Sequence, residues 1–365
     1  MAGTQKARDN SLQIQTNNLN VGLTETDVRN ILSNEKELIL KEAEIIAIDT
    51  AQKRLDDYAE ILIPKLVNNE MLQAFANPAI QMFYKNIEKS VICTDRKSDY
   101  EMLSELLIHR VEKDDDYVAK AAINKIVDII DDISEEALSG LTMLFSTMEL
   151  TPTNGNVLIG LQTMDNHYKR LLDSNKLPIE DRWIDNLELV QAIKILPYSS
   201  TASFIDLFSR GLDGYFKDGI RINSDKYNEY QEKLKKVNLP LELLEKNEFL
   251  ENYYRIPVSN KDGIKKMRLI AKFPNGIQHQ QQISEKQIEV LEEIYDNYDN
   301  ISSNIEIVKN NIYEKMEEYK NIKRIEVWWN ENLYNKRSIV LTTIGEILAQ
   351  VNAKRFDNAV PKVGE

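Results

Sequence analysis

The residues that could do chemistry in this chain are three histidines, one cysteine and 59 acidic side chains. Metal sites need clustered His, Cys or carboxylate ligands at fixed spacing. His109, His167 and His279 lie far apart and Cys93 is alone, so no local zinc signature exists. HExxH, a P-loop, a GxSxG elbow, a GxGxxG turn and an EF-hand loop are absent as well. So is the basic residue followed closely by His that some helical RNases use. A triad assembled from distant segments leaves no such local trace. Adjacent acids (Asp56-Asp57, Asp131-Asp132, Glu180-Asp181) could divide acid and base roles in a cleft. In so acidic a chain they read as solvated or dipole-facing helix ends. Asp213 and Asp218, in the glycine-rich stretch SRGLDGYFKDG, read as a surface loop with no ligand count behind them. Cys93 is expected to be a small buried hydrophobe, and Trp328-Trp329 core plus one interface residue.

One cluster runs against the overall charge. Lys261, Lys265, Lys266, Arg268 and Lys272 crowd together with only Asp262 among them, in a chain of net charge −13. Such a patch could touch phosphate, as the wings of winged-helix domains do, or neutralise an acidic neighbour. The acidic balance and a pI near 5.0 argue against a nucleic-acid-coating surface or a polybasic membrane anchor.

The elements that position these residues are helices. Only 12 Gly and 9 Pro punctuate 365 residues, which favours long helices over many strands. Hydrophobic residues at 42% suffice for folded cores. No apolar run reaches a membrane span, the start MAGTQKARDN lacks a signal-peptide core, and one cysteine fits a reducing compartment. A cytoplasmic protein is expected.

Along the chain, Leu12, Ile14, Leu19 and Val21 alternate as a short strand that Gly22 closes. Alone it cannot bury much, so it is expected to pair with a second copy or a sheet edge. Thr24 with Asp27 has capping-box spacing. Ile48, Ala51, Leu55, Tyr58, Leu62 and Leu66 then mark a long amphipathic helix. Asn77-Pro78 reads as a cap followed by proline at the first helical position, with Ile80, Phe83, Ile87 and Val91 inward. Ser98 with Glu101 reads as a capping box, and Asp114-Asp115-Asp116 and Ser134 as helix starts. RIPVSNKDGIKKMRLIAKF reads as two strands around an Asp262-Gly263 turn. Ser284 with Gln287 opens a further helix, and SIVLTTIGEILAQVNAKRF is a strand into a helix capped by Thr343 and Glu346.

Three segments together, IQTNNLNVGLTETDV, LSELLIHRVEKDDDYVAKAAINKIVDII and WWNENLYNKRSIVLTTIGEILAQVN, resemble an uncharacterised bacterial family with a GLT-x-x-DV start and an LT-x-x-G tail. The middle and tail are also similar to abortive-infection alpha phage-defence proteins, through an L-x-x-LL signal and the same tail. The resemblance implies a bacterial cytoplasmic setting and anti-phage defence, and it carries over no catalytic residue. The tail, Leu341-Thr342-Thr343-Ile344-Gly345, follows the pattern; the leader departs, with Asn17-Asn18 where the family pattern has a Gly-Asp turn.

The expected fold is mainly α, a multi-helix array with a short N-terminal strand and a small β-hairpin in the C-terminal half. Residues 1–22 form a leader arm, 23–175 one helical domain, and 176–365 a second, with its hairpin near 253–274. The leading functional expectation is a non-enzymatic defence sensor or effector that binds a protein partner and self-associates through the leader, with no cofactor and no membrane. The alternatives are a nucleic-acid-binding regulator, with the basic hairpin and final helix as a winged-helix unit, and an unrecognised hydrolase or nuclease.

Overall fold

The structure, a computed structural model, describes residues 25–113, 115–174, 176–272 and 278–361. The leader strand and its cap at Thr24 lie outside the described residues. The chain divides into two compact units, residues 1–59 and 60–365. Helix α1 (Glu25–Asn68) begins in the first and ends in the second. No described helix is long and apolar enough to cross a membrane.

In the second unit α2 (Pro78–Cys93), α3 (Lys97–Glu112) and α4 (Tyr117–Ile129) pack on one another. Asn77 caps α2 through Ala79 N–H, and Ile80, Phe83, Ile87 and Val91 are its buried stripe, as the spacing required. Asp116 caps α4, accepting from Val118 and Ala119 N–H. Ser134 does the same for α5 (Glu135–Met148) through Ala137 N–H. Then follow α6 (Val157–Ser174), α7 (Arg182–Leu189) and β1 (Ile193–Ser200). Next come α8 (Phe204–Gly211), α9 (Asp213–Phe216), β2 (Ile220–Arg221) and α10 (Asp225–Lys236). They lead to β3 (Glu245–Lys246), β4 (Tyr253–Arg255), α11 (Gly263–Lys266), β5 (Arg268–Lys272) and β6 (Gln278–Gln282). The chain continues through α12 (Glu285–Asp296), α13 (Ser302–Glu317), α14 (Lys320–Asn332), β7 (Arg337–Leu341) and α15 (Thr343–Phe356).

The last helix is the spine. α15 packs on α3, α4, α5 and α6 and buries Ile347, Leu348, Ala349, Val351 and Ala353. It is delivered by β7, which pairs antiparallel with β1 across the intervening residues 201–336 (Ile193 faces Leu341). Thr342 caps it, its Oγ accepting from Gly345 N–H and donating to the Gln191 carbonyl. The cap is thus Thr342, one residue before the expected Thr343. At Gly345 a Cβ would stand 2.0 Å from the Ala192 carbonyl oxygen, so only glycine lets the helix lie this close. Thr342 and Gly345 of the LT-x-x-G tail therefore both have structural roles, one as cap and one as close contact.

A second cluster gathers around α10, α11 and α12, with Tyr227, Leu234, Ile256, Ile264, Leu291 and Tyr295 buried together. Here the hairpin differs from the sequence reading. β4 pairs with β2 and β3, while β5 pairs with β6, Arg268 facing Gln282. Asp262 sits at φ −66° and Gly263 is not among the positive-φ residues, so the pair opens the short helix α11 instead of a two-residue hairpin turn. The Ser98–Glu101 box is not formed either. Ser98 already lies inside α3, and the entry is fixed by Asp99, whose carboxylate accepts from Thr94 Oγ (2.6 Å) and Arg96 Nε (2.9 Å).

Candidate functional site

The first unit carries a run of exposed aliphatic side chains. Leu38, Ile39, Leu40, Ile45, Ile46 and Ile48 on α1 are each 58–65% exposed. Single exposed aliphatics are ordinary; a run of this kind is uncommon on a protein surface. Leu38, Lys41, Ile45, Ile48, Gln52 and Leu55 recur at alternating spacings of three and four, a seam of heptad spacing along one side of the helix. Acids flank that seam on both sides, Glu42, Asp49 and Asp56 along one edge and Glu37 and Glu44 along the other. Lys41, inside it, is held by Glu37 at 2.8 Å. Of the amphipathic face marked by Ile48, Ala51, Leu55, Tyr58, Leu62 and Leu66, the last three are buried and Ala51 and Leu55 half-buried, while Ile48 is 60% exposed.

The basic cluster is spread over the turn before α11, α11 itself and β5. Lys261 reaches Asp296 of α12 at 2.7 Å, which raises its pKa, and Lys265 lies 3.8 Å from Glu292 on the same helix. Lys266 and Arg268 are exposed, and the side chain of Lys272 lies outside the described residues. β5 and β6 do not adjoin the final helix, whose preceding strand β7 pairs with β1. On α7, which leads into β1, Asp185, Glu188 and Leu189 are the exposed residues after Arg182.

Other expected positions resolve into structure. Trp328 and Trp329 are both buried, their indole N–H groups donating to the carbonyls of Pro178 and Ala202, so neither is an interface residue or a stacking platform. Cys93 is exposed, because two residues beyond inward Val91 a helix has turned to its other side. Asp218 is fully buried, not a surface loop residue; it accepts from Asn300 and Ile301 N–H and fixes the start of α13. Asp131, Asp132, Glu180 and Asp181 stay exposed, and no acid, His or Cys cluster fit for a metal occurs among the described residues.

A third arrangement has no sequence signature at all. Ser146 near the end of α5, His167 on α6 and Asp357 at the end of α15 form a line. Ser146 Oγ is 3.1 Å from His167 Nε2, and His167 Nδ1 is 2.8 Å from Asp357 Oδ2. Arg170 donates to Asp357 Oδ1 at 2.6 Å. Burial lowers the His167 pKa, against the raising effect of Asp357 and with a further lowering from Arg170. Burial would raise Asp357, but hydrogen bonds from His167, Ala359 N–H and Arg170 outweigh it and hold the carboxyl low. The line opens on a cavity of about 100 Å³ walled by Leu150, Thr151, Pro152, Met164 and Val360.

A protein-family model described as ":-like" matches residues 22–360. The chain belongs to that family. No curated protein and no solved structure matches it. The matched span takes in α1 with its exposed seam, the Ser146–His167–Asp357 line and the LT-x-x-G tail.

Proposed function

We propose that this protein is a defence sensor or effector that works by binding a protein partner through α1, whose exposed seam takes a partner helix with an apolar stripe edged by Lys and Arg. The observation that carries the reading is that Leu38, Ile45 and Ile48 stand exposed between two acidic edges. Burying one such side chain contributes about 1.5–3 kcal/mol, so Leu38, Ile45 and Ile48 on the seam contribute roughly 4.5–9 kcal/mol against an association cost of roughly 4–15 kcal/mol. The charges select the occupant. A second copy of the same seam would set Glu37 and Glu44 against Glu42 and Asp49 in a parallel pair, and acid against acid in an antiparallel one. Anionic lipid is disfavoured for the same reason. A basic-edged helix matches both edges. The phage-defence setting rests on the resemblance of the tail and middle segments to abortive-infection proteins.

The test is phage plating on bacteria expressing the protein, compared with the Leu38→Glu/Ile45→Glu variant at equal expression. Protection by the parent and its loss in the variant support the reading. Equal plating on both would overturn it.

A further inference from the structure

Independently of α1, we propose that Ser146, His167 and Asp357 form a nucleophile, base and orienting acid that accept a short acyl group from an ester. The geometry has the order of roles that such chemistry requires. With Nδ1–H given to Asp357 Oδ2, the His167 ring presents its lone pair at Nε2, where the Ser146 hydroxyl can donate. Burial keeps that ring neutral, the form a general base needs. Asp357 stays ionised and can stabilise the imidazolium once it forms. Arg170, half exposed beside it, tempers that effect.

The cavity sets the substrate class. At about 100 Å³ it is smaller than the roughly 150 Å³ apolar void that takes benzene, so its apolar walls suit an acetyl to butyryl chain. Thr151 lines the same cavity and carries a hydroxyl that could donate to an oxyanion. In the first step Ser146 Oγ bonds to the acyl carbon as its proton passes to His167 Nε2. The ester C–O bond breaks, and the leaving alcohol takes that proton. Water then attacks the acyl-serine with His167 as base. The carboxylic acid departs, and the proton returns to Ser146 Oγ. The sum is ester plus water to acid plus alcohol.

A purely architectural alternative has the same three residues merely joining α5, α6 and the end of α15. The two are separated by incubating the full chain with p-nitrophenyl acetate, quenching in acid, and locating acetyl groups by peptide mass spectrometry. Acetyl on Ser146 is expected in the parent, none at that peptide in Ser146→Ala, and a loss of about a hundredfold in rate for His167→Gln, the low end of a general base's contribution. Should His167→Gln fail to fold, the parent's acylation rate against pH still decides. It should fall as pH drops through a midpoint below the ordinary histidine value of 6.5, the groups facing His167 being Asp357 and Arg170. Acetyl on surface lysines alone, or a rate without that midpoint, would overturn the assignment.

Discussion

Gly345 faces the carbonyl oxygen of Ala192 so closely that an added Cβ would lie 2.0 Å from it. Backbone stands on both sides of the contact, so relief requires moving α15 away from the residue before β1. Gly345→Ala is therefore expected to destabilise the fold by roughly 1–3 kcal/mol, the range for overpacking, and to lower the melting temperature. Thr342→Val should cost about 0.5–2 kcal/mol through the lost cap. Unchanged melting in both would remove the packing account of the LT-x-x-G tail.

Several helix entries were legible from their local caps. Asn77, Ser134 and Ser284 each make the bond their spacing announces, and Ser284 with Gln287 closes a complete capping box. Ser98 misled because its spacing to Glu101 is right but Arg96 is held elsewhere, donating to the carbonyls of Ile133 and Ile130. That tertiary anchor starts α3 a residue before Ser98, which no local pattern reveals. The Ser146–His167–Asp357 line was illegible for the same reason. Its members lie on three helices brought together by the β1–β7 pairing, and nothing in their own neighbourhoods announces it.

The difference at α3 has a direct measurement. Asp116→Ala, which removes two accepted N–H bonds at α4, should cost about 0.5–2 kcal/mol by denaturant titration. Ser98→Ala should stay within about 0.5 kcal/mol, as a substitution away from caps and cores does. A larger loss at Ser98 than at Asp116 would restore the sequence reading.

His167 links stability to pH. Its folded pKa lies below 6.5, so the unfolded chain takes up the proton first as pH falls. Stability should decline from near pH 6.5 down through the folded pKa and level below it, superposed on the loss from Asp357 at still lower pH. His167→Gln should remove the upper part of this decline. An identical pH profile for the variant in thermal melts would contradict the burial-driven shift.

The basic cluster yields a salt experiment. Lys261 and Lys265 already face Asp296 and Glu292, and the chain carries −13 overall. Duplex DNA is therefore expected to bind no more weakly after Lys265, Lys266, Arg268 and Lys272 are changed to Gln. Were all four phosphate contacts, the log–log salt slope would flatten by up to about 3.6, at roughly 0.9 per contact. Tight, salt-sensitive binding lost in the variant would favour the regulator.

The seam on α1 can be examined directly with two synthetic helical peptides. They share one apolar stripe and differ only in edge residues, Lys and Arg in one and Glu in the other. Titrated into the fluorescently labelled full chain, the basic peptide should bind and the acidic one should not. Its affinity should weaken as salt rises, because exposed charge pairs are screened, and should be lost in the Leu38→Glu/Ile45→Glu variant. Equal affinity for both peptides, or binding unchanged by that variant, would contradict the account of α1 as the site where a basic-edged partner helix docks.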